Sequence, residues 1–420
     1  MNAASRLDAA IKRVVESGNC SGCGACALLD NGISMELDTM GYLRPVRRSP
    51  AKGAGGGTNS GKSFAAACPG VRVRAQRPDG SLRHPQLGPV TGAWQAWASD
   101  PETRFSGSSG GAITALSSWL LQSGHVARVV GAGADPIDAR RTVPVQILSR
   151  EQALAASGSR YAPVANASAA GALEPGTAFI GKPCEVSAAR VLSEEHQGFG
   201  GHGPILLSFF CAGTPSQHAT DRLAAALGAP EGTGIRELRY RGNGWPGNFS
   251  VMAEDGTIQA MAYDESWGKH LGPATQWRCK ICPDGVAESA DITAGDFWRT
   301  DDAGYPLFTE QAGISALIAR TRRGRELVLA AAAAGVLTLH PLDAGELMAV
   351  QPLQRRRRET LLGRLAGTVA GGGRIPHFSG FSLPRLAAGH LRESLRAAMG
   401  SYRRQRAIRR EPPKTGARYN

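Results

Sequence analysis

Long apolar runs are missing from this chain of 420 residues. The longest nearly apolar stretch, Leu327 to Leu339, has 13 residues and follows Arg325 and Glu326. A helix that crosses a bilayer needs roughly 20 apolar residues, so no transmembrane helix is expected. The first 18 residues carry Arg6, Asp8, Lys12, Arg13 and Glu16, which leaves no room for the apolar segment of a secretory signal. The expected location is therefore cytoplasmic. Aromatic residues amount to only 6% beside 42% hydrophobic residues, the balance of an ordinary soluble protein. The main body also lacks an excess of one charge. Of the net +13, all falls in residues 351–420, which hold 16 Lys and Arg against 3 Glu; residues 1–350 balance 32 against 32. Nucleic-acid binding by the main body is not expected. No G-x-G-x-x-G fingerprint follows a predicted strand, which argues against direct use of NAD(P)H. No internal repeat stands out.

Cysteine is present, and sparingly: eight residues that divide into two sets of four. Cys20-Ser-Gly-Cys23-Gly-Ala-Cys26 is closed by a distant Cys68 with Pro69 after it. This C-x2-C-x2-C run with a remote Cys-Pro is how bacterial ferredoxins wrap a four-iron, four-sulfur cluster. Gly22 and Gly24 give the tight loop its freedom. A two-cluster ferredoxin would have a further cysteine soon after Cys26, where Leu28, Leu29 and Asp30 stand, so the block is read as holding one cluster. The alternative is a structural zinc site, which favours paired C-x2-C motifs. Cys184, Cys211, Cys279 and Cys282 make the second set. Cys279 and Cys282 are a clear ligand pair; the two single cysteines follow predicted strands, and the alternative for them is ordinary burial. In a reducing compartment, metal ligation is the expected use of all eight.

The expected fold is α/β with α+β elements, an N-terminal ferredoxin-like cluster-binding region preceding an α/β FAD- and cluster-binding core. Residues 1–85 form the Gly- and Cys-rich region, with a hairpin-like stretch from Ile33. Residues 86–180 and 181–345 make the two parts of the core, and residues 346–420 a basic C-terminal extension. Ala127–Gly131, Val143–Leu148, Ala178–Ile180, Ile205–Phe210 and Ile314–Ala319 are predicted strands; Ala112–Leu121 and Arg322–Ala334 are predicted helices. Glu254-Asp-Gly256 marks a hairpin. Gly56-Gly-Thr-Asn-Ser-Gly-Lys62-Ser63 fits the Walker A pattern in form, but no strand precedes it, and it is read as a solvated insert. Ser106-Gly-Ser-Ser-Gly-Gly111 before a helix is a better cradle for a phosphate. Pro283, Asp284, Ala287, Glu288, Asp291, Gly295 and Asp296 follow Cys282 as a polar run that either shields a cluster or faces solvent.

At these residues the chain resembles the beta-subunit family of coenzyme F420 hydrogenases and dehydrogenases, F420 being a 5-deazaflavin. The resemblance spans roughly residues 15 to 345. It is most specific at Cys279-x2-Cys282-Pro-Asp-Gly-Val-Ala-Glu288-x-Ala-Asp291-Ile-x-x-Gly-Asp296, and extends to Ser108-Ser-Gly-Gly111, Gly158-Ser-Arg-Tyr161, Gly181-Lys-Pro-Cys184 and Arg241-Gly-Asn-Gly-Trp245. In layout the chain is similar to the branch containing 7-hydroxymethyl chlorophyll a reductase. The resemblance implies FAD and two 4Fe–4S clusters, with Ser108, Ser109, Gly110 and Gly111 helping to hold FAD and Ser159, Arg160, Tyr161 and Lys182 nearby. It also raises Cys184 and Cys211 to cluster ligands. No catalytic residue is assigned.

The functional expectation is an oxidoreductase that passes electrons between a one-electron carrier such as ferredoxin and an organic small-molecule substrate. The alternatives are an F420-linked beta subunit and a non-catalytic electron-transfer subunit. The segment after about Gln351 is expected to be a docking element outside the catalytic core. Leu386, Leu391, Leu395 and Met399 recur there at near-helical spacing among Arg385, Arg392, Arg396, Arg403 and Arg404. An anionic membrane surface or an acidic partner would suit it.

Overall fold

A computed structural model describes residues 3–49, 60–196, 203–299, 307 and 309–410. Most of the Gly-rich insert (52–59) and the last ten residues lie outside them. The N-terminal block starts with helix α1 (Ala3–Glu16), followed by the loop bearing Cys20, Cys23 and Cys26, the last of which lies in a short helix, α2 (Ala25–Leu29). An antiparallel hairpin pairs Ile33–Leu37 with Leu43–Arg47, as the sequence suggested. Helix α3 (Ser60–Ala67) then delivers Cys68. Leu7, Ile11 and Val14 of α1 bury against Ile33 and Phe64, with Cys26 in the same apolar cluster.

The main body is built on an eight-stranded mixed sheet: β1 (Gly92–Ala98), β2 (Arg128–Ala134), β3 (Thr142–Ile147), β4 (Thr177–Gly181), β5 (Ile205–Phe209), β6 (Ile292–Asp296), β7 (Ser315–Ala319) and β8 (Leu337–Pro341). Their spatial order is β8-β1-β7-β6-β5-β4-β2-β3. The central run β2-β4-β5-β6 is parallel, and the flanking pairs are antiparallel. Strands buried on both faces read as continuous apolar runs. Leu207 of β5 faces the core that includes Leu116, Leu120 and Val328, whereas Leu206 faces the opposite core with Phe179 and Val186. Helices α4 (Ala112–Gln122), α5 (Pro183–His196) and α6 (Arg322–Ala333) supply those cores. A separate three-stranded antiparallel sheet uses Ile235–Arg239 and the hairpin Asn248–Ala253/Ile258–Ala262. No helix among the described residues is long and apolar enough to cross a membrane.

The C-terminal segment differs from expectation. Helices α7 (Pro352–Glu359), α8 (Leu361–Ala370), α9 (Leu383–Ala388) and α10 (Leu391–Arg410) are folded onto the body. Leu361, Leu365, Phe381 and Leu383 share an apolar cluster with Ile281 and Val73. Several of its basic residues are spent as donors. Arg357 reaches the carbonyl of Cys211, which Gln354 also serves; Arg358 reaches that of Pro283 and Arg364 that of Lys280. The segment is thus part of the structure around the second cysteine set, not a detached docking element. The reason is that arginine satisfies several carbonyls at once while its aliphatic stem stays packed. Leu391, Leu395 and Met399 of α10 remain exposed, as an amphipathic reading predicts.

Candidate functional site

Parallel strands place their chemistry beyond their carboxyl ends. Here β4 runs into Lys182 and then Cys184 in the first turn of α5; β5 leads to Cys211; β6 ends on Asp296. A cavity of about 500 Å3 opens against these strand ends. Its walls include the loop Gly107–Gly111, residues Ser159 to Tyr161, Lys182, Cys211 and Arg241. Of the predicted flavin residues, Ser108, Ser109, Gly111, Ser159, Arg160, Tyr161 and Lys182 are all on this wall. Gly110 lies behind it: its N–H donates to Ser315 Oγ at 2.9 Å, and a Cβ there would sit 2.4 Å from the carbonyl oxygen of Ala96. Ser109 Oγ donates to the carbonyl of Ile314 at 2.7 Å. The loop is therefore sewn to β1 and β7 so that the N-terminus of α4 faces the cavity, the arrangement that favours an anionic ligand group.

The two predicted cations differ in their commitments. Arg160 donates to Thr142 Oγ1 and to the carbonyls of Ala139, Arg141 and Leu238, and burial lowers its pKa. Most of its guanidinium thus holds neighbouring loops together. Lys182 is 6% exposed and pairs with buried Glu185 at 2.6 Å while donating to the carbonyl of Val164 at 2.7 Å. Burial alone would lower its pKa, but Glu185 and Cys184 outweigh that, and it stays charged.

Sequence reasoning left out a third cation. Arg241, 2% exposed, pairs with Asp296 at 2.7 Å and lies over the rings of Trp245, Tyr263 and Trp298. Burial would depress its pKa; Asp296 raises it. Its Nη2 is buried without a hydrogen-bond partner, as is Oδ1 of Asn166, and both residues line the cavity. The motif Arg241-Gly-Asn-Gly-Trp245 was the available signal; the aromatic partners Tyr263 and Trp298, distant in sequence, gave none.

Cys20, Cys23, Cys26 and Cys68 border one small cavity. Gly22 and Gly24 have φ of +70° and +87°, and a Cβ at either would lie 2.9 Å from backbone atoms of Leu43 or Ser168. Only glycine fits there. Burial pushes the Cys23 thiol up to about 11, with Cys20 adding to it; Cys26 and Cys68 also rise, again by burial first and then by the neighbouring cysteines. In the second set Cys211 is pushed up to about 12 by burial, with Cys279 and Cys282 adding and Arg357 opposing. Thr214 N–H donates to Cys279 Sγ at 3.4 Å. Burial pushes the Cys184 thiol up; Lys182 opposes this, and Glu185, Cys23 and Cys211 add to it. Among the described residues no group of three or more His, Cys, Asp and Glu side chains is arranged for a metal ion. A metal assignment therefore rests on the composition of the two sets and their common placement.

The polar run after Cys282 is largely buried, not solvated. Glu288 pairs with Arg83 at 2.7 Å and with Arg358 of α7 at 2.8 Å; Asp284 accepts from Glu288 N–H. These ion pairs fix the loop that carries Cys282.

A mixed α/β protein with a strand-end cavity and two cysteine sets is the class that fold and site define. The N-terminal part of the coenzyme F420 hydrogenase/dehydrogenase beta subunit, as a family, matches residues 93–170, and the C-terminal part matches residues 176–345. The chain belongs to the coenzyme F420 hydrogenase/dehydrogenase beta-subunit family. It is 27% identical to the coenzyme F420 hydrogenase subunit beta of Methanococcus voltae, over 64% of this chain and 91% of that one. Similarity to the F420-dependent formate dehydrogenase 1 subunit beta of Methanococcus maripaludis is 26% identity over 55% of this chain, which spans 57% of that relative. In fold it matches a chain of the F420-reducing [NiFe] hydrogenase complex from Methanosarcina barkeri, with a TM-score of 0.50, 22% identity, and coverage of 68% of this chain and 95% of that one. The first cysteine set and helices α7–α10 lie outside the span that the family matches.

Proposed function

We propose that the chain is an electron-handling subunit of an F420-linked oxidoreductase, holding FAD in the strand-end cavity and a 4Fe–4S cluster on each cysteine set. One observation carries this reading: the cavity wall joins the Gly107–Gly111 loop, the cations Lys182 and Arg241, and Cys211 itself. When bound, FAD stores two electrons and exchanges a hydride, while clusters pass electrons singly. The chain's own residues do the rest. The N-terminus of α4 and the unpartnered Nη2 of Arg241 supply donors for the acceptor atoms of the cofactor. Lys182, held by Glu185, keeps a positive charge beside the cavity, and the aromatic rings around Arg241 keep water from it. Cys184 packs against the apolar cluster that includes Cys23 of the first set.

A second reading, in which ferredoxin is the electron carrier and an organic molecule the substrate, is favoured by the first cysteine set, since it lies outside the family span and adds an entry point for single electrons.

Anaerobic analysis tests the cofactor content: about eight irons and one FAD per chain are expected, and zinc in place of iron sinks the reading. Stopped-flow then separates the donors. Rapid flavin reduction by reduced deazaflavin supports the first reading, by reduced ferredoxin the second.

A further inference from the structure

The burial pattern of α10 is reversed. Ser394, Ser401 and Gln405 are buried, whereas Leu391, Leu395, Met399 and Tyr402 are 65%, 66%, 56% and 42% exposed. The buried face packs on α8 along a row of glycines. A Cβ at Gly363 or Gly367 would run into the carbonyl oxygens of Ser394 and Ala398, and one at Gly371 into Gln405. The fold therefore anchors α10 by its small and polar side and leaves its apolar side without a partner in the described chain. Residues spaced i, i+4, i+8 and i+11 share one helix face, so the four exposed side chains form a continuous stripe. Leu361 and Leu365 turn α8 toward the core, which puts Leu362 and Val369, 37% and 54% exposed, on its outer side. The charge around the stripe has one sign. Helix α10 holds seven arginines and one acid, Glu393. Arg404 lies over Trp277 on the inner side; Arg392, Arg396, Arg403, Arg406 and Arg410 are exposed. Both helices follow the span that the family matches, which ends at residue 345.

We propose that α10, with the outer side of α8, seats the folded protein on an anionic lipid surface. An exposed apolar stripe marks a contact surface, and its basic surroundings select what makes the contact. A second copy of this face would bring like charge against like charge. A layer of anionic headgroups meets both demands at once. Leu391, Leu395 and Met399 enter the boundary between headgroups and acyl chains, and Tyr402 sits at headgroup level. The arginine stems lie along the apolar surface while the guanidinium groups reach lipid phosphates. The helix lies in the plane of the surface and does not cross it; no described helix is long and apolar enough to do so. Nothing in this proposal depends on which cofactors the chain holds.

The test sediments the full-length chain, purified anaerobically, with vesicles of phosphatidylglycerol and phosphatidylcholine in equal parts, and with phosphatidylcholine vesicles alone. Binding is expected to the first only, and is expected to weaken as salt rises. Leu395→Ser/Met399→Ser and, separately, Arg392→Gln/Arg396→Gln/Arg403→Gln should each bind at least about tenfold more weakly. All five positions are exposed, so thermal unfolding and iron content should stay as in the wild type. No binding of the wild type to the anionic vesicles, or equal binding of all three proteins, overturns the proposal. A loss confined to the arginine variant also overturns it, because charge without insertion is general attraction. So does absent vesicle binding together with a dimer that Leu395→Ser/Met399→Ser dissolves, which assigns the face to a second copy. Absent vesicle binding together with electron exchange with an acidic carrier that the arginine variant loses assigns it to a protein, and overturns the proposal equally.

Discussion

Asp291 is 2% exposed, and each of its carboxylate oxygens accepts two hydrogen bonds: from Arg190 and Thr321 on one, and from Arg323 and Leu206 N–H on the other. Removing one partner of such a group leaves the others buried and uncompensated, so Asp291→Asn should cost about 3–5 kcal/mol in denaturant unfolding. Burial works to raise the Asp291 pKa, but Arg190 and Arg323 hold it below the ordinary 3.8. Its stabilisation is therefore present above that value and lost as pH falls below it; the Asn variant should lose that part of the acid slope. Lys182 calls for a paired design because its ion pair and its place beside the cavity are confounded in a single substitution. Lys182→Met leaves Glu185 without its cation. In Lys182→Met/Glu185→Gln most stability should return, while the flavin potential stays lower than in the wild type, since a nearby cation favours the anionic reduced ring. A double variant with FAD bound and an unchanged potential would leave Lys182 only its structural role.

Helix α7 decides the second cysteine set. Gln354 and Arg357 both donate to the carbonyl of Cys211, and Arg358 reaches Pro283 and Glu288. Truncation after Leu353 should therefore cost about half of the iron, that of the second set alone, as read by anaerobic iron analysis. Full iron in the truncated chain would make these contacts dispensable. Strands β2, β3, β4, β5 and β7 were legible because apolar residues filled them between turn signals, and α4 and α6 showed helical spacing. The Gly107–Gly111 loop was legible because its small residues precede a helix. The destination of α7 was not. Arg355-Arg-Arg-Arg358 reads as solvated charge, and only the fold reveals that the carbonyls of Cys211, Ala212 and Pro283 need those donors. Strand β6 was hidden too, because its residues Ile292 to Asp296 include Thr, Ala and Gly, and only its central place in the sheet buries them.

At the scale of the molecule, the two extremes of the described chain meet. Arg72–Arg74, just after Cys68 and Pro69, pairs in parallel with His377–Ser379; Asn19 donates to the carbonyl of Arg374 at 3.0 Å, next to Cys20. Arg278, adjacent to Cys279, donates to the carbonyl of Pro69 at 2.8 Å. The sheet, the second cysteine set and the N-terminal block are thereby held as one unit, in part by residues that follow the whole sheet in sequence. That order has a consequence for biogenesis. A ribosome releases Cys20, Cys23, Cys26 and Cys68 well before the strand and helices that pack beside them. A chain stalled before α7 would therefore present the second set without the donors to the carbonyls of Cys211 and Pro283, while the first set keeps the loop and the helix α3 that bring its cysteines to one cavity.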